Sequence, residues 1–262
     1  MMDEMSVVGR VVGLFRYPVK SMLGETLTVV DARSSGFVGD RAFGLIDVSS
    51  SRLLSAKTVP ALLLASAMFA DGEVTMTLPT GIVSSADPNV DDTLSTWLDR
   101  DVRLARPTEG VASTIDIEVD LTERGGPEAA MFSFDTHSGS FFDGTPMHLL
   151  TSSSLRAMAG LYPAGNWALE RFRPNVMIDV EPAGEGFIED GWVGSTLSLG
   201  SMVANVHKRC DRCVLTTKQV GQVPADREIL KALHRHHGGD LGVKATIARD
   251  GTVRTGDLIT LG

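Results

Sequence analysis

Cysteine is scarce in this chain, with only Cys210 and Cys213 among 262 residues. Two thiols cannot staple a secreted disulfide scaffold, which leaves them for chemistry, metal binding or the core. Long apolar runs are missing too. None approaches the ~18–20 residues that cross a bilayer, and the longest candidate, Ala61-Leu62-Leu63-Leu64-Ala65, ends at Ser66. The start, Met1-Met2-Asp3-Glu4, is acidic where a signal peptide is basic, and no apolar segment follows before Arg10, so the expected address is cytoplasmic. An excess of cations is also absent: 24 Lys and Arg against 33 Asp and Glu give a formal charge of −9. That balance disfavours nucleic acid as a partner while leaving room for a local basic pocket. There is no internal repeat and no low-complexity tract.

What is present is a hydrophobic content of 43%, enough to bury one large core or two small ones. Short apolar runs separated by turn residues dominate. Val7 to Val30 reads as strand, loop, strand around Arg16-Tyr17-Pro18-Val19-Lys20-Ser21, and Ala42 to Asp47 as a further strand. Val74 to Leu78 alternates at period two and turns at Pro79-Thr80-Gly81 into Ile82-Val83, a hairpin. Asp92 is placed to cap a short helix carrying Leu94, Trp97 and Leu98, before a strand at Val102-Arg103-Leu104. The apolar pattern fades from Pro107 to Met131, where Gly125-Gly126-Pro127 breaks regular structure, so two domains are expected, 1–115 and 116–262.

In the second, Met147 to Leu150 is a strand and Thr151-Ser152-Ser153-Ser154 caps a helix to Leu161. Strands follow at Val176-Met177-Ile178 and Ser195 to Leu199, then a helix from Asp226 to about His236 with basic residues in its last turn. Val243 to Ile247 alternates strictly, and a turn at Asp250-Gly251 suggests a closing hairpin through Leu258 to Leu261. No helical crossover alternates regularly with these strands. The expected fold class is therefore β-dominated α+β, built from barrels or a mixed sheet with a few helices.

The chemistry centres on Lys208-Arg209-Cys210-Asp211-Arg212-Cys213. Neighbouring arginines favour thiolate over thiol, which suits a metal ligand or a nucleophile, although inert buried cysteines satisfy the spacing equally. His207-x-x-Cys210-x-x-Cys213 could supply three zinc ligands, with His234, His236 or His237 as a fourth, but those histidines equally suit a helix C-terminus. A thioredoxin-like disulfide is disfavoured because Val214-Leu215-Thr216-Thr217 is β-prone where a helix would be needed.

Four segments in order, Arg16-Tyr17-Pro18-Val19-Lys20-Ser21, Gly39-Asp40-Arg41, Arg171-Phe172-Arg173-Pro174-Asn175 and Arg212-Cys213-Val214-Leu215-Thr216-Thr217, resemble the signatures of the MOSC family. That family is named for the C-terminal domain of molybdenum-cofactor sulfurase. The pattern is most similar to mitochondrial amidoxime-reducing components and their bacterial counterparts, and it covers nearly the whole chain. The resemblance implies an N-terminal β-barrel domain followed by a MOSC-type β-barrel domain that share one site. It implies a molybdenum cofactor (molybdopterin with Mo) whose metal takes Cys213 as its protein ligand and catalytic thiolate, with Cys210 a neighbour. Its phosphate would be held by Lys20, Ser21 and Arg41 from the first domain and Thr151, Ser152, Arg173 and Asn175 from the second, beside Arg212.

Plainer roles compete: a solvated turn for Lys20 and Ser21, an exposed ion pair for Asp40-Arg41, a helix cap for Thr151 to Ser154, a surface strand end for Arg173. The cap and an anion site are compatible, since a helix N-terminus presents unpaired N–H groups. The implied activity is an oxidoreductase that reduces small N-hydroxylated substrates with electrons from a separate flavoprotein or ferredoxin-type donor. Two alternatives stand beside it, a non-redox cofactor carrier or sulfur-transfer module with a Cys213 persulfide, and a structural zinc protein. The pyridoxal-phosphate domain of the full sulfurase and the ferredoxin domain of some bacterial relatives are not expected here.

Overall fold

The computed structural model describes residues 6–119, 130–136, 140–180 and 184–262. Its first half runs through β1 (Ser6–Arg16), β2 (Glu25–Leu27), β3 (Val29–Arg33), β4 (Gly36–Phe37) and β5 (Gly44–Asp47). The hairpin β6 (Ser66–Ala70), β7 (Glu73–Leu78) and β8 (Gly81–Ser84) follows, then α1 (Val90–Leu98) and β9 (Val102–Ala105). A two-stranded arm, β10 (Thr114–Val119) and β11 (Ala130–Asp135), leads to β12 (Met147–Thr151), α2 (Ser152–Leu161) and β13 (Val176–Val180). The chain ends in β14 (Thr196–Leu199), β15 (Met202–Asp211), α3 (Glu228–His237), β16 (Asp240–Arg249), β17 (Gly251–Arg254) and β18 (Leu258–Leu261).

Seven strands close into a barrel in the order β13-β12-β16-β15-β14-β18-β1, with β1 returning to β13 and β2 attached to its far end. The expected strand-dominated fold is what forms. Closure rests on β1, eleven residues long, which pairs antiparallel with β18, β13 and β2 in turn. So the first strand of the chain completes a sheet otherwise made of residues 147–261. It needs Gly9 there, because a Cβ would meet Asp179 O at 2.6 Å. Inward residues such as Val11, Leu149, Val176, Ala204 and Val243 are fully buried, each large aliphatic contributing roughly 1.5–3 kcal/mol over exposure. A second core under β6–β8 gathers Val74, Met76, Leu78 and Leu94. A third holds α2 and α3 against the barrel through Met158, Ile229, Leu233 and Leu241.

Three expectations change. The end of the chain is not a hairpin: β17 leaves the barrel to pair with β3, and β18 returns between β14 and β1. Val253 opposite Val30 buries completely there, so the excursion adds core. Helix α1 begins after Asn89, whose side chain makes no capping bond, and Asp92 lies in the first turn and complements the dipole from there. The arm β10–β11 was not anticipated, because β11 is exposed on both faces from Met131 to Asp135 and carries no inward alternation. The break at Gly125-Gly126-Pro127 lies outside the described residues. Among the described residues no helix is long and apolar enough to cross a membrane.

Candidate functional site

The Tyr17–Met22 loop leaves β1 and is pinned by its neighbours rather than solvated. Lys20 and Ser21 are 4% and 8% exposed. Lys20 Nζ donates to Phe141 O at 2.7 Å and pairs with Asp143, and Ser21 Oγ accepts from Ala56 N at 3.0 Å. Asp40 is buried as well and accepts from Tyr17 N at 2.7 Å, from Asn175 Nδ2 at 2.9 Å and from Arg41. The exposed ion pair is thus a buried carboxylate hub. Two guanidiniums approach the Tyr17 ring, Arg173 at 4.2 Å and Arg41 at 4.8 Å from its centroid, and its hydroxyl donates to Pro174 O at 3.0 Å. Arg173 turns inward to donate to Met22 O, so it is no surface strand end.

Three site residues, Ser21, Arg41 and Arg173, account for half of the six non-glycine positive-φ residues described. Such conformations cost of order 1–3 kcal/mol each and persist where surrounding bonds over-determine them. Here Arg41 N donates to Tyr17 O at 2.8 Å, and the side chains close the rest.

The charges in this loop cluster are unbalanced. Lys57 acts on both Lys20 and Asp143, so four cations, Lys20, Arg41, Lys57 and Arg173, share the neighbourhood of three carboxylates, Asp40, Asp143 and Glu170. Burial lowers Lys20 and Asp143 resists that shift. Burial, then repulsion from Arg41, brings Arg173 down to about 10, which leaves it cationic at neutral pH. Burial pushes the Tyr17 phenol well above its usual range, so it stays neutral.

The cysteine segment approaches from the other side. After β15, Arg212 N donates to Gly239 O at 2.8 Å, and its guanidinium bonds Phe172 O at 2.8 Å and Cys210 Sγ at 2.9 Å. Cys210 is buried and Cys213 exposed. Burial alone would raise the Cys210 thiol, but His148, Arg212 and Lys244 outweigh it and bring it down to about 6. Val214–Thr217 is a 3₁₀ turn rather than a strand. Thr216 and Thr217 satisfy themselves by bonding back to Cys213 O and Val214 O, which removes the need for a strand partner.

The following loop is held by Arg171, which donates to Thr216 O, Lys218 O and Pro224 O, and by Gly221 N on Leu63 O. Consecutive residues therefore join the two loops: Phe172 receives Arg212, and Arg173 reaches Met22. Lys20, Ser21, Arg41, Arg173 and Asn175 gather around the Tyr17–Met22 loop, and the bond of Arg212 to Phe172 O joins that group, along a seam between the two loops, to the segment that carries the exposed Cys213.

Thr151 and Ser152 are not brought there. Asn175 bonds the backbone of His148, whereas Thr151 is three residues further along β12, about 10 Å at the rise of a strand. Its hydroxyl donates to Glu189 Oε2 at 2.6 Å and accepts from Ser154 N at 3.1 Å, and Ser152 Oγ bonds Asp179. These residues cap α2 beside two carboxylates. The zinc spacing does not converge either. On β15 His207 faces outward beside Thr145 while Cys210 faces inward, and among the described residues no three His, Cys, Asp or Glu side chains gather as a metal site. Sequence reasoning passed over Lys57, for which the sequence carries no signal, and His148, whose only trace is a lone histidine inside an apolar strand run.

A donor set of this kind fits a phosphate-bearing metal cofactor: one buried and three half-buried cations in one loop cluster, and an exposed thiol in the segment bonded to it. Comparison with known proteins agrees with the fold. The MOSC N-terminal beta barrel domain matches residues 8–106 and the MOSC domain matches residues 136–260. No curated protein matches the chain. Among solved structures, the YuaD protein from Bacillus subtilis is 14% identical, with 97% of this chain and 95% of that one covered and a TM-score of 0.50, a likeness of fold alone. YiiM from Geobacillus stearothermophilus, 13% identical with 60% and 75% covered, has a TM-score of 0.36, too loose to carry an argument. With both domain descriptions matched in order over most of its length, the chain belongs to the MOSC family, a family of molybdenum-cofactor-related proteins.

Proposed function

We propose that the seam binds a molybdenum cofactor with Cys213 as the protein ligand to the metal, and that the chain reduces N-hydroxylated compounds. The cofactor, when bound, would supply the two-electron chemistry that turns R–NH–OH, two electrons and two protons into R–NH2 and water. The electrons would come from a separate flavoprotein or ferredoxin-type donor. The chain's own residues hold and orient. Cys213 offers a soft sulfur donor from an exposed position. Arg41 and Arg173, both packed against the Tyr17 ring, present guanidinium donors suited to phosphate oxygens, with Lys20 and Lys57 adding charge. Asp40 and Asn175 fix Arg41 and the Arg173 segment from behind. Tyr17 and Phe142 flank Arg41 with apolar surface that keeps water from it.

The observation that carries this reading is a cluster of four cations, Lys20, Arg41, Lys57 and Arg173, tied through Phe172 and Arg212 to the segment of an exposed thiol, Cys213. Its test is the metal and pterin content of protein made in cells able to synthesise the cofactor. Wild type should carry molybdenum with pterin, Cys213→Ser should lose molybdenum, and the Arg41→Gln, Arg173→Gln pair should lose both. Zinc without pterin in wild type overturns the proposal, and a persulfide on Cys213 without molybdenum transfers it to the sulfur carrier. Loaded protein that fails to reduce benzamidoxime with reduced methyl viologen as donor sinks the reductase and leaves cofactor binding standing.

A further inference from the structure

Cys210 is the other thiol of the chain, and the proposed chemistry does not use it. It sits near the end of β15 with 4% exposure, out of reach of a substrate-sized molecule. Three side chains face its sulfur: the His148 imidazole from β12 and two cations, Arg212 from its own segment and Lys244 from β16, which also bonds Asp211 Oδ1 at 2.7 Å. The Arg212 Nη1 to Sγ distance of 2.9 Å is short for a sulfur acceptor, as a charge-assisted bond would be.

Arg212 makes no ion pair with a carboxylate among the described residues. Its Nη2 takes Phe172 O, its guanidinium lies 5.7 Å from the Phe172 centroid, and its buried Nε has no partner. The bonds that orient this guanidinium are therefore two, to the Phe172 carbonyl and to the Cys210 sulfur. Cys213 follows Arg212 by one peptide bond. On its other side, His148 N donates to Asn175 Oδ1 and His148 O accepts from Asn175 N, while Asn175 Nδ2 holds Asp40 in the cation cluster.

We infer that Cys210 is a positioning residue: its buried sulfur fixes the Arg212 guanidinium, and Arg212 fixes the peptide that turns the Cys213 thiol outward into the seam. That this thiol is the metal's ligand rests on the proposed function; the anchoring itself does not. The test therefore uses the full-length, metal-free chain. In hydrogen exchange read by mass spectrometry, Cys210→Ser, neutral and of similar size, should quicken exchange over residues 212–217 by about tenfold while β12 and β16 stay as in wild type. Cys210→Asp, which restores an anion, should recover much of the protection. Unchanged exchange in Cys210→Ser overturns the inference, as does equal loss in both variants.

If both variants unfold globally, the Cys213→Ser chain decides, because Cys210 is then its single thiol. Thiolate absorbance in the ultraviolet should rise with a midpoint near 6, and adding Arg212→Gln should move that midpoint up by about one unit. A midpoint at the ordinary thiol value, about 8.5, or one indifferent to Arg212→Gln, overturns the inference. Molybdenum content plays no part in either measurement, so a failure of the proposed function and a failure of this anchoring are told apart.

Discussion

Replacing Arg171 by lysine tests whether the loop after Cys213 depends on one buried guanidinium. Arg171 is 1% exposed and spends its donors on four backbone carbonyls: Asn166 O at 2.9 Å, Thr216 O and Lys218 O at 3.1 Å each, and Pro224 O. The last three belong to the loop that begins at Cys213. A lysine keeps the charge but replaces a planar fork with one ammonium on a flexible stem, so it can reach about two of the four acceptors. Each charged-donor bond is worth roughly 1.5–3 kcal/mol net, and these values do not simply add, so Arg171→Lys should cost about 3 kcal/mol. At roughly 2–4 °C per kcal/mol for a chain of this size, the melting temperature should fall by about 6–12 °C.

Calorimetry on the full chain measures that shift, and limited proteolysis at 213–224 shows whether the loss is local. The loop should be cleaved in the variant at concentrations of protease that spare wild type. A melting temperature lowered by less than about 2 °C would mean that the four carbonyls find other partners or water and that the guanidinium is no keystone. A large fall without new cleavage in 213–224 would place the damage elsewhere and refute the reasoning equally.

Further outcomes follow from the same geometry. The Cys210 thiol is lowered from 9.0 to about 6 in the fold, so its stabilising contribution is full above the unfolded value of about 8.5 and is lost as pH falls through the folded one. Wild type should gain on the order of 3 kcal/mol over Cys210→Ser between pH ~6 and ~9, and parallel pH profiles of melting temperature would refute this. Tyr17→Phe removes only the bond to Pro174 O and should cost about 1 kcal/mol with pterin retained. Tyr17→Leu also removes the ring against which Arg41 and Arg173 pack and should lower pterin content, measured by fluorescence of released pterin. Gly242→Ala places a Cβ 2.4 Å from His148 Nε2 and 2.6 Å from Leu149 O at φ +78°. That should cost roughly 3 kcal/mol or abolish soluble expression. Gly256→Ala, at φ +96° in open space, should cost only about 1 kcal/mol, which separates the clash from the backbone term.

How far a segment could be read depended on whether its own residues supply the reason for its structure. The β7–β8 hairpin was legible because Val74, Met76 and Leu78 alternate into a core and Pro79-Thr80-Gly81 turns the chain. The cap on α2 was legible because Thr151 bonds Ser154 N three residues away. The four ordered motifs carried the family. By contrast, β17 pairs with β3 more than two hundred residues earlier, and nothing within Gly251 to Arg254 distinguishes that edge from the neighbouring β16.

The same divide runs through the site. From the sequence by itself came the residue types: a thiol pair beside arginines, the Lys20 and Arg41 motifs, Arg173 and Asn175. Only the tertiary structure decided their states, because burial and charge balance are sums over distant neighbours. It made Asp40 a buried hub instead of a surface partner and drew Thr151 and Ser152 toward Glu189 and Asp179. It also gave the two cysteines, three residues apart, opposite fates: Cys213 turned outward, and Cys210 folded inward against His148 and Arg212, whose charges prevail over its burial.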